Sequence, residues 1–295
     1  MQNIHSIPFS DKKFELGEGL LWDSENQHIL VTDILKGTLL EVDIKGNEIS
    51  SHIFPDTIGW ALPTEKKDIY IVGLGSGLFL FNKKTPDAAK PIENSFPADI
   101  SIRLNDACTD SKGRIWYGSM HRNNPENRQG KLASYSFSEG LKIHDEKFCI
   151  VNGPLISPNE NHIYVTDSLD RIIYKYDLCI ESGSISNKRI FKKFTAQEGC
   201  PDGMCLDIDS NIWIAMWGGS KVIRLNNHGE LVTQVDIPAE NVTNVCFFGP
   251  SRSRLLVSTS SLDEDLEKNN EFSGRLFEIL NHQTKGVSTN SVRIK

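Results

Sequence analysis

A weak internal repeat constrains this chain more than any other feature. Six times, a turn rich in Asp, Asn, Ser or Gly leads into a short strand of β-branched and aromatic residues, then a second turn and another strand. The first copy runs from Trp22-Asp23-Ser24-Glu25-Asn26 through HILVTDI and, past Lys36-Gly37, TLLEVD. The strand pairs of the next five are DIYIVGL and LFLF, RIWYGSM and KLASYSF, HIYVTDS and RIIYKYD, NIWIAMW and SKVIRLN, and RLLVSTS and RLFEIL. Copies recur about every 40–50 residues, the period of propeller blades. A four-stranded blade cannot bury both faces alone, whereas radial stacking buries them and leaves only short edges. The expected fold class is therefore all-β, a six-bladed β-propeller forming one domain over residues 1–295. A β-sandwich is the competing fold, but it needs no long repeat of this regularity. Residues near Ile4 to Phe9 could form the outer strand of the last blade, with Gly286 to Ile294 competing for that role. Only Asp263 to Asn269 looks briefly helical, in what reads as a loop.

The formal charge of -7 works against nucleic acid and anionic lipid as partners. The densest basic stretch, Lys188 to Lys193, alternates with apolar residues and reads as a strand with a wet face. Met1 to Glu15 is polar and lacks an apolar signal region. Tyr70 to Phe81 is too short and glycine-rich to span a bilayer. The expectation is a soluble, cytoplasmic protein, a monomer or a weak homodimer, that binds neither nucleic acid nor membrane. Its six cysteines then read as free thiols rather than a disulfide framework, and Cys200 and Cys205 match no zinc spacing.

In a propeller the innermost strands line a central channel, so a ligand site there draws polar residues from several repeats. Four segments fit, each placed just before a repeat's strand pair. They are Leu16-Gly17-Glu18-Gly19, Arg103-Leu104-Asn105-Asp106, Val151-Asn152-Gly153-Pro154 and Pro201-Asp202-Gly203-Met204. Glu18, Asn152 and Asp202 offer three hard oxygens, with Asn105 a candidate fourth. Such a set suits Ca2+, Mg2+ or Mn2+ and tolerates Zn2+. Taken singly, Asn-Gly and Pro-Asp-Gly are also common turns.

At these residues the sequence resembles the SMP-30/gluconolactonase/regucalcin-like family. The resemblance rests on Leu16-Gly17-Glu18-Gly19-Leu20-Leu21-Trp22, Arg103-Leu104-Asn105-Asp106, Gly118-Ser119-Met120 and Asn152-Gly153. It continues through Tyr164-Val165-Thr166-Asp167-Ser168, Pro201-Asp202-Gly203-Met204-Cys205-Leu206-Asp207 and Val222-Ile223-Arg224-Leu225, in order over nearly the whole chain. It implies a six-bladed propeller with one divalent ion on its axis, Ca2+ first among the candidates. The implied metal ligands are Glu18, Asn152 and Asp202; Arg103 and Asn105 are implied to bind substrate. The implied activity is a gluconolactonase-like hydrolysis of a sugar lactone to the sugar acid. Ala107 stands where the family usually has glycine, and Pro154 where it has leucine. His121 and Arg122 stand where some relatives carry an acidic residue, so both are candidate substrate contacts. If Arg122 faces the channel, a lactone bearing a negative group is favoured.

The implied chemistry is attack of water on a lactone carbonyl polarised by the metal, with Asp202 as the family-suggested base. A carboxylate bound to a dication is a poor base. Either Asp202 uses its second oxygen or the metal acidifies the attacking water. Asp106 and Asp167 are secondary candidates; Asp167 could instead accept hydrogen bonds from neighbouring loops. The run Gly73-Leu74-Gly75-Ser76-Gly77 precedes a strand and reads as a hairpin turn rather than a phosphate loop. No Gly-x-Ser-x-Gly nucleophile elbow is present. Two other functions stay open: a phosphotriesterase-like hydrolase on the same scaffold, and a non-catalytic metal-binding propeller.

Overall fold

The computed structural model describes residues 3–85, 89–97, 99–262 and 271–294, so the stretch Asp263 to Asn269 lies outside the described residues. The described strands form six four-stranded antiparallel sheets. Blades 1 to 5 span residues 17–53, 58–91, 102–148, 151–193 and 200–236, and within each the spatial order of strands follows the chain. Blade 6 takes three strands from residues 241–280 and its outermost strand, His5–Ser10, from the start of the chain. The six innermost strands are Gly17–Asp23, Ile58–Pro63, Ile102–Thr109, Val151–Ile156, Cys200–Leu206 and Asn241–Phe248. Each touches the innermost strand of both neighbouring blades, which closes the ring.

Ring closure follows the first of the two sequence alternatives. His5 pairs with Leu280 and Ile7 with Glu278. The stretch from Gly286 does something else. Val287 N–H donates to Leu206 O at 3.3 Å and Val292 N–H to Pro63 O at 2.9 Å. Asn290 Nδ2 donates to Thr109 O at 3.2 Å. Leu206, Thr109 and Pro63 end the innermost strands of blades 5, 3 and 2. The tail thus runs as a chord across one mouth of the channel, with Val292 only 1% exposed. Gly286 is needed on this path, since a Cβ there would sit 2.3 Å from Phe247 Cβ.

The core lies between blades. Trp213 and Val222 of blade 5 pack on Val242, Val257 and Phe277 of blade 6. Trp60 and Ile71 of blade 2 meet Leu104 and Tyr117 of blade 3. Second strands such as His162–Asp167 (HIYVTD) are therefore buried on both faces, which explains their near-continuous apolar runs. The Gly73–Gly77 run is the expected hairpin, with Leu74 opposite Gly77. All six cysteines are free thiols.

The polar half of the repeat has a definite job. After five of the innermost strands a side-chain oxygen organises the turn: Asp23, Thr64, Asp110, Ser157 and Asp207. Asp207 is wholly buried. It accepts from the backbone N–H of Asp209 (3.0 Å) and Asn211 (2.9 Å), from Trp213 Nε1 (3.1 Å) and from Arg224 Nε (2.7 Å). Asp207→Ala strands an indole N–H and a half-buried guanidinium together. It is expected to destabilise the fold by about 3 to 5 kcal/mol, read as a lowered urea midpoint with an unchanged slope.

Candidate active site

The four polar segments singled out from sequence lie within the innermost strands rather than before them. Each strand is bulged there. Gly19-Leu20, Asn105-Asp106, Gly153-Pro154 and Asp202-Gly203 stand as residue pairs opposite the single residues Val31, Gly118, Val165 and Ala215. A bulge breaks the strict in-out alternation and re-aims a side chain. That is how strands packed on both faces spare polar side chains for the axis. Glu18, Arg103, Asn105, Asp106, Asn152 and Asp202 are all less than 10% exposed.

A hydrogen-bonded chain links blades 3 and 4. Arg103 Nη1 donates to Asn105 Oδ1 at 2.6 Å, and Asn105 Nδ2 to Asn152 Oδ1 at 2.7 Å. Asn152 Nδ2 donates to Ser168 Oγ at 2.9 Å. Asn105 Nδ2 also reaches Val151 O at 3.0 Å. The Asn105 oxygen is thus turned to Arg103, an arrangement that aligns Asn152.

Three buried carboxylates, Glu18, Asp106 and Asp202, lie close enough to repel one another. Burial, then Asp202 and Asp106, push Glu18 well above the usual carboxylate range. Burial, then Asp106, do the same to Asp202, opposed by Arg103. Burial holds Asp106 up at about 7, against donation from the backbone of Ala107 and Gly153. Burial also pulls the Arg103 guanidinium down to about 10, opposed by Glu18 and Asp202. One Oδ1 of Asp202 is buried without a hydrogen-bond partner. An excess of buried, mutually repelling hard oxygens with one of them orphaned fits a divalent cation.

These shifts set a pH dependence for metal-stripped protein. An unfolded Asp titrates near about 3.9. Between that value and about 7 the folded chain keeps a proton at Asp106 that the unfolded chain has released. Stability must then fall as pH rises through that window. Chelator-treated protein is expected to melt at a higher temperature near pH 5 than near pH 8, with a smaller difference in Asp106→Asn.

The other sequence candidates sit at the margin. Arg122 is held by Asp56 through Nη1 (2.7 Å) and Nη2 (2.9 Å), close enough to Arg103 to repel it. His121 Nδ1 accepts from the backbone N–H of Asn124 at 3.0 Å, closing a local turn. Asp167 takes the loop-holding role, accepting from the N–H of Cys149 (3.2 Å) and Ile150 (3.4 Å). With Cys149 and Asp170 it places ligand-type atoms within 4.8 Å of one another. Arg128 already neutralises Asp170, and burial pushes the Cys149 thiol up to about 11, so this trio reads as a structural cluster.

Sequence reading gave Asp106 second rank and missed Ser168 and Asn244. A signal was present. Glu18, Asn105, Asn152 and Asp202 each stand five residues before a turn residue: Asp23, Asp110, Ser157 and Asp207. The same count back from Thr64 and Gly249 reaches Gly59 and Asn244. Asn244 Nδ2 donates to Glu18 Oε2 at 2.8 Å.

Residues 16–261 match the family described as SMP-30/Gluconolactonase/LRE-like region. Regucalcin of Xenopus laevis is 27% identical over 284 residues, covering 93% of this chain and 94% of that protein. The 6-deoxy-6-sulfogluconolactonase of Pseudomonas putida is 27% identical over 255 residues, covering 86% of each. The crystal structure of regucalcin from Agrobacterium tumefaciens, described as a calcium-binding protein, superposes with a TM-score of 0.90 at 23% identity. The alignment covers 99% of this chain and 98% of that one.

Proposed function

Since this chain belongs to the SMP-30/gluconolactonase/LRE-like family, we propose that it is a metal-dependent lactonase opening an aldonolactone to the sugar acid. Its relatives include a gluconolactonase-type enzyme, which supports lactonase chemistry in general. The observation that carries the specific reading is the buried set Glu18, Asp106, Asn152 and Asp202 with Arg103 as its cation. Glu18, Asn152 and Asp202 would hold the ion, Ca2+ first and Mg2+, Mn2+ or Zn2+ as alternatives. Asn105 serves better as the group that aligns Asn152. A divalent cation there supplies Lewis acidity and offsets the crowded negative charge.

The chain's own groups do the rest. Arg103 spends Nη1 on Asn105 and offers Nη2 to a substrate oxygen. Asp202 accepts the proton of the attacking water on the carboxylate oxygen that the ion leaves free. Water oxygen bonds to the carbonyl carbon, the ring C–O bond breaks, and the proton passes to the departing alkoxide. Asp106, buried beside Glu18 and Asp202, is the second group able to hold that proton. Arg122 is already neutralised by Asp56, which supports a neutral lactone over an acidic one.

The test is hydrolysis of glucono-, galactono-, xylono- and arabino-lactones, and of one acid-bearing lactone, by metal-stripped protein. Ca2+, Mg2+, Mn2+ and Zn2+ are added back singly. Metal-dependent turnover of the neutral lactones is expected, little changed in Arg122→Ala. No turnover with any pair overturns the reading, and turnover of a phosphotriester alone replaces it.

A further inference from the structure

The innermost strand of blade 6, Asn241–Phe248, carries no carboxylate, yet it reaches the site. Its innermost strand is irregular between Val242 and Asn244, and Asn244 is 5% exposed. The Asn244 oxygen accepts from Val245 N–H at 2.8 Å, so its amide nitrogen must be the end that faces Glu18. Gly19 N–H donates to the same Oε2 at 3.2 Å. Both donors address one oxygen, which fixes the carboxylate plane and leaves Oε1 outside the pair. Asn244 also packs on the neighbouring ligand segment: a Cβ on Gly203, next to Asp202, would lie 2.5 Å from Asn244 Cγ.

We propose that Asn244 is a positioning residue that aims Glu18 at the metal and keeps blade 6 in register with Asp202. The inference rests on the reading of Glu18 as a metal ligand. Removing a partner of this kind commonly weakens metal binding by about 10- to 100-fold. Thr243, its neighbour, bonds Gly17 O and Ser258 Oγ and so stitches blade 6 to blade 1 without addressing the carboxylate.

The experiment is calorimetric titration of chelator-treated protein with Ca2+ and with Mn2+, beside thermal melts without metal. Asn244→Ala is expected to raise the Kd by about 10-fold or more, and Asn244→Ser, which retains a short donor, by less. Thr243→Val is expected to lower the metal-free melting temperature while leaving the Kd within about twofold of wild type; a purely structural Asn244 would behave the same way. A wild-type Kd in Asn244→Ala, or in the donor-free and nearly isosteric Asn244→Leu should the alanine variant not fold, overturns the positioning role alone. Failure of the wild-type protein to bind either ion overturns the metal reading of Glu18 and this inference with it.

Discussion

Asp202→Asn is expected to bring lactone opening down by about 10³-fold or more, toward the spontaneous rate. The substitution is nearly isosteric, and Asp202 sits in a bulge whose shape comes from Gly203 and the pairing of Pro201 with Met216. The fold should therefore survive. On the proposed mechanism the variant loses its proton acceptor, together with one charge that draws in the cation. The same change relieves repulsion from Asp106. Metal-stripped Asp202→Asn should thus melt no lower than wild type at pH 8, while divalent ions stabilise it less. A variant that turns over lactone at the wild-type rate would exclude Asp202 from both roles.

The second large effect concerns the tail. Ending the chain before Lys285 removes Val292, fully buried between blades 2 and 3, and the partly buried Val287 and Ile294. It also removes backbone bonds to Leu206, Pro63 and Gly113. Burying one such aliphatic side chain stabilises by about 1.5–3 kcal/mol, partly offset by the entropy of holding the tail in place. A net loss of about 3 kcal/mol corresponds to a melting temperature lower by about 5 °C for a chain of 295 residues. Dye binding to the uncovered mouth should rise in parallel. An unchanged melting temperature would mean that the tail is an ornament rather than a brace.

The sequence discloses the ring because the repeat is a packing requirement. Strands such as ILVTD and IYVTD are apolar throughout because both faces meet other blades, and the Asp turns recur because each innermost strand must reverse. It discloses the candidate ligand segments as polar interruptions of apolar runs, and the family pattern orders them. It does not disclose the bulges, since one extra residue in a strand has no compositional mark. Asn244 was invisible for that reason: Thr-Asn-Val reads as ordinary strand until it is counted back from Gly249. Asp106 is a secondary candidate on sequence, and only burial beside Glu18 and Asp202 marks it as a titrating group. Nor does sequence predict that Arg122 finds Asp56, a partner 66 positions away.

The N-terminal strand that completes blade 6 gives the site a timetable. Glu18 and the Asn244 that grips it are 226 positions apart. His5–Ser10 has no sheet partner until Leu276–Leu280 has been synthesised. Contacts of such separation form late, after most of the loop entropy has been lost. A nascent chain holding five finished blades therefore has most of the fold and the candidate ligands of blades 1, 4 and 5, but lacks Asn244 and the contact that sets blade 1 against blade 6. On the proposed metal reading, the cation reaches its full affinity when the circle shuts, and tight binding is in effect a signal that synthesis and closure are both over.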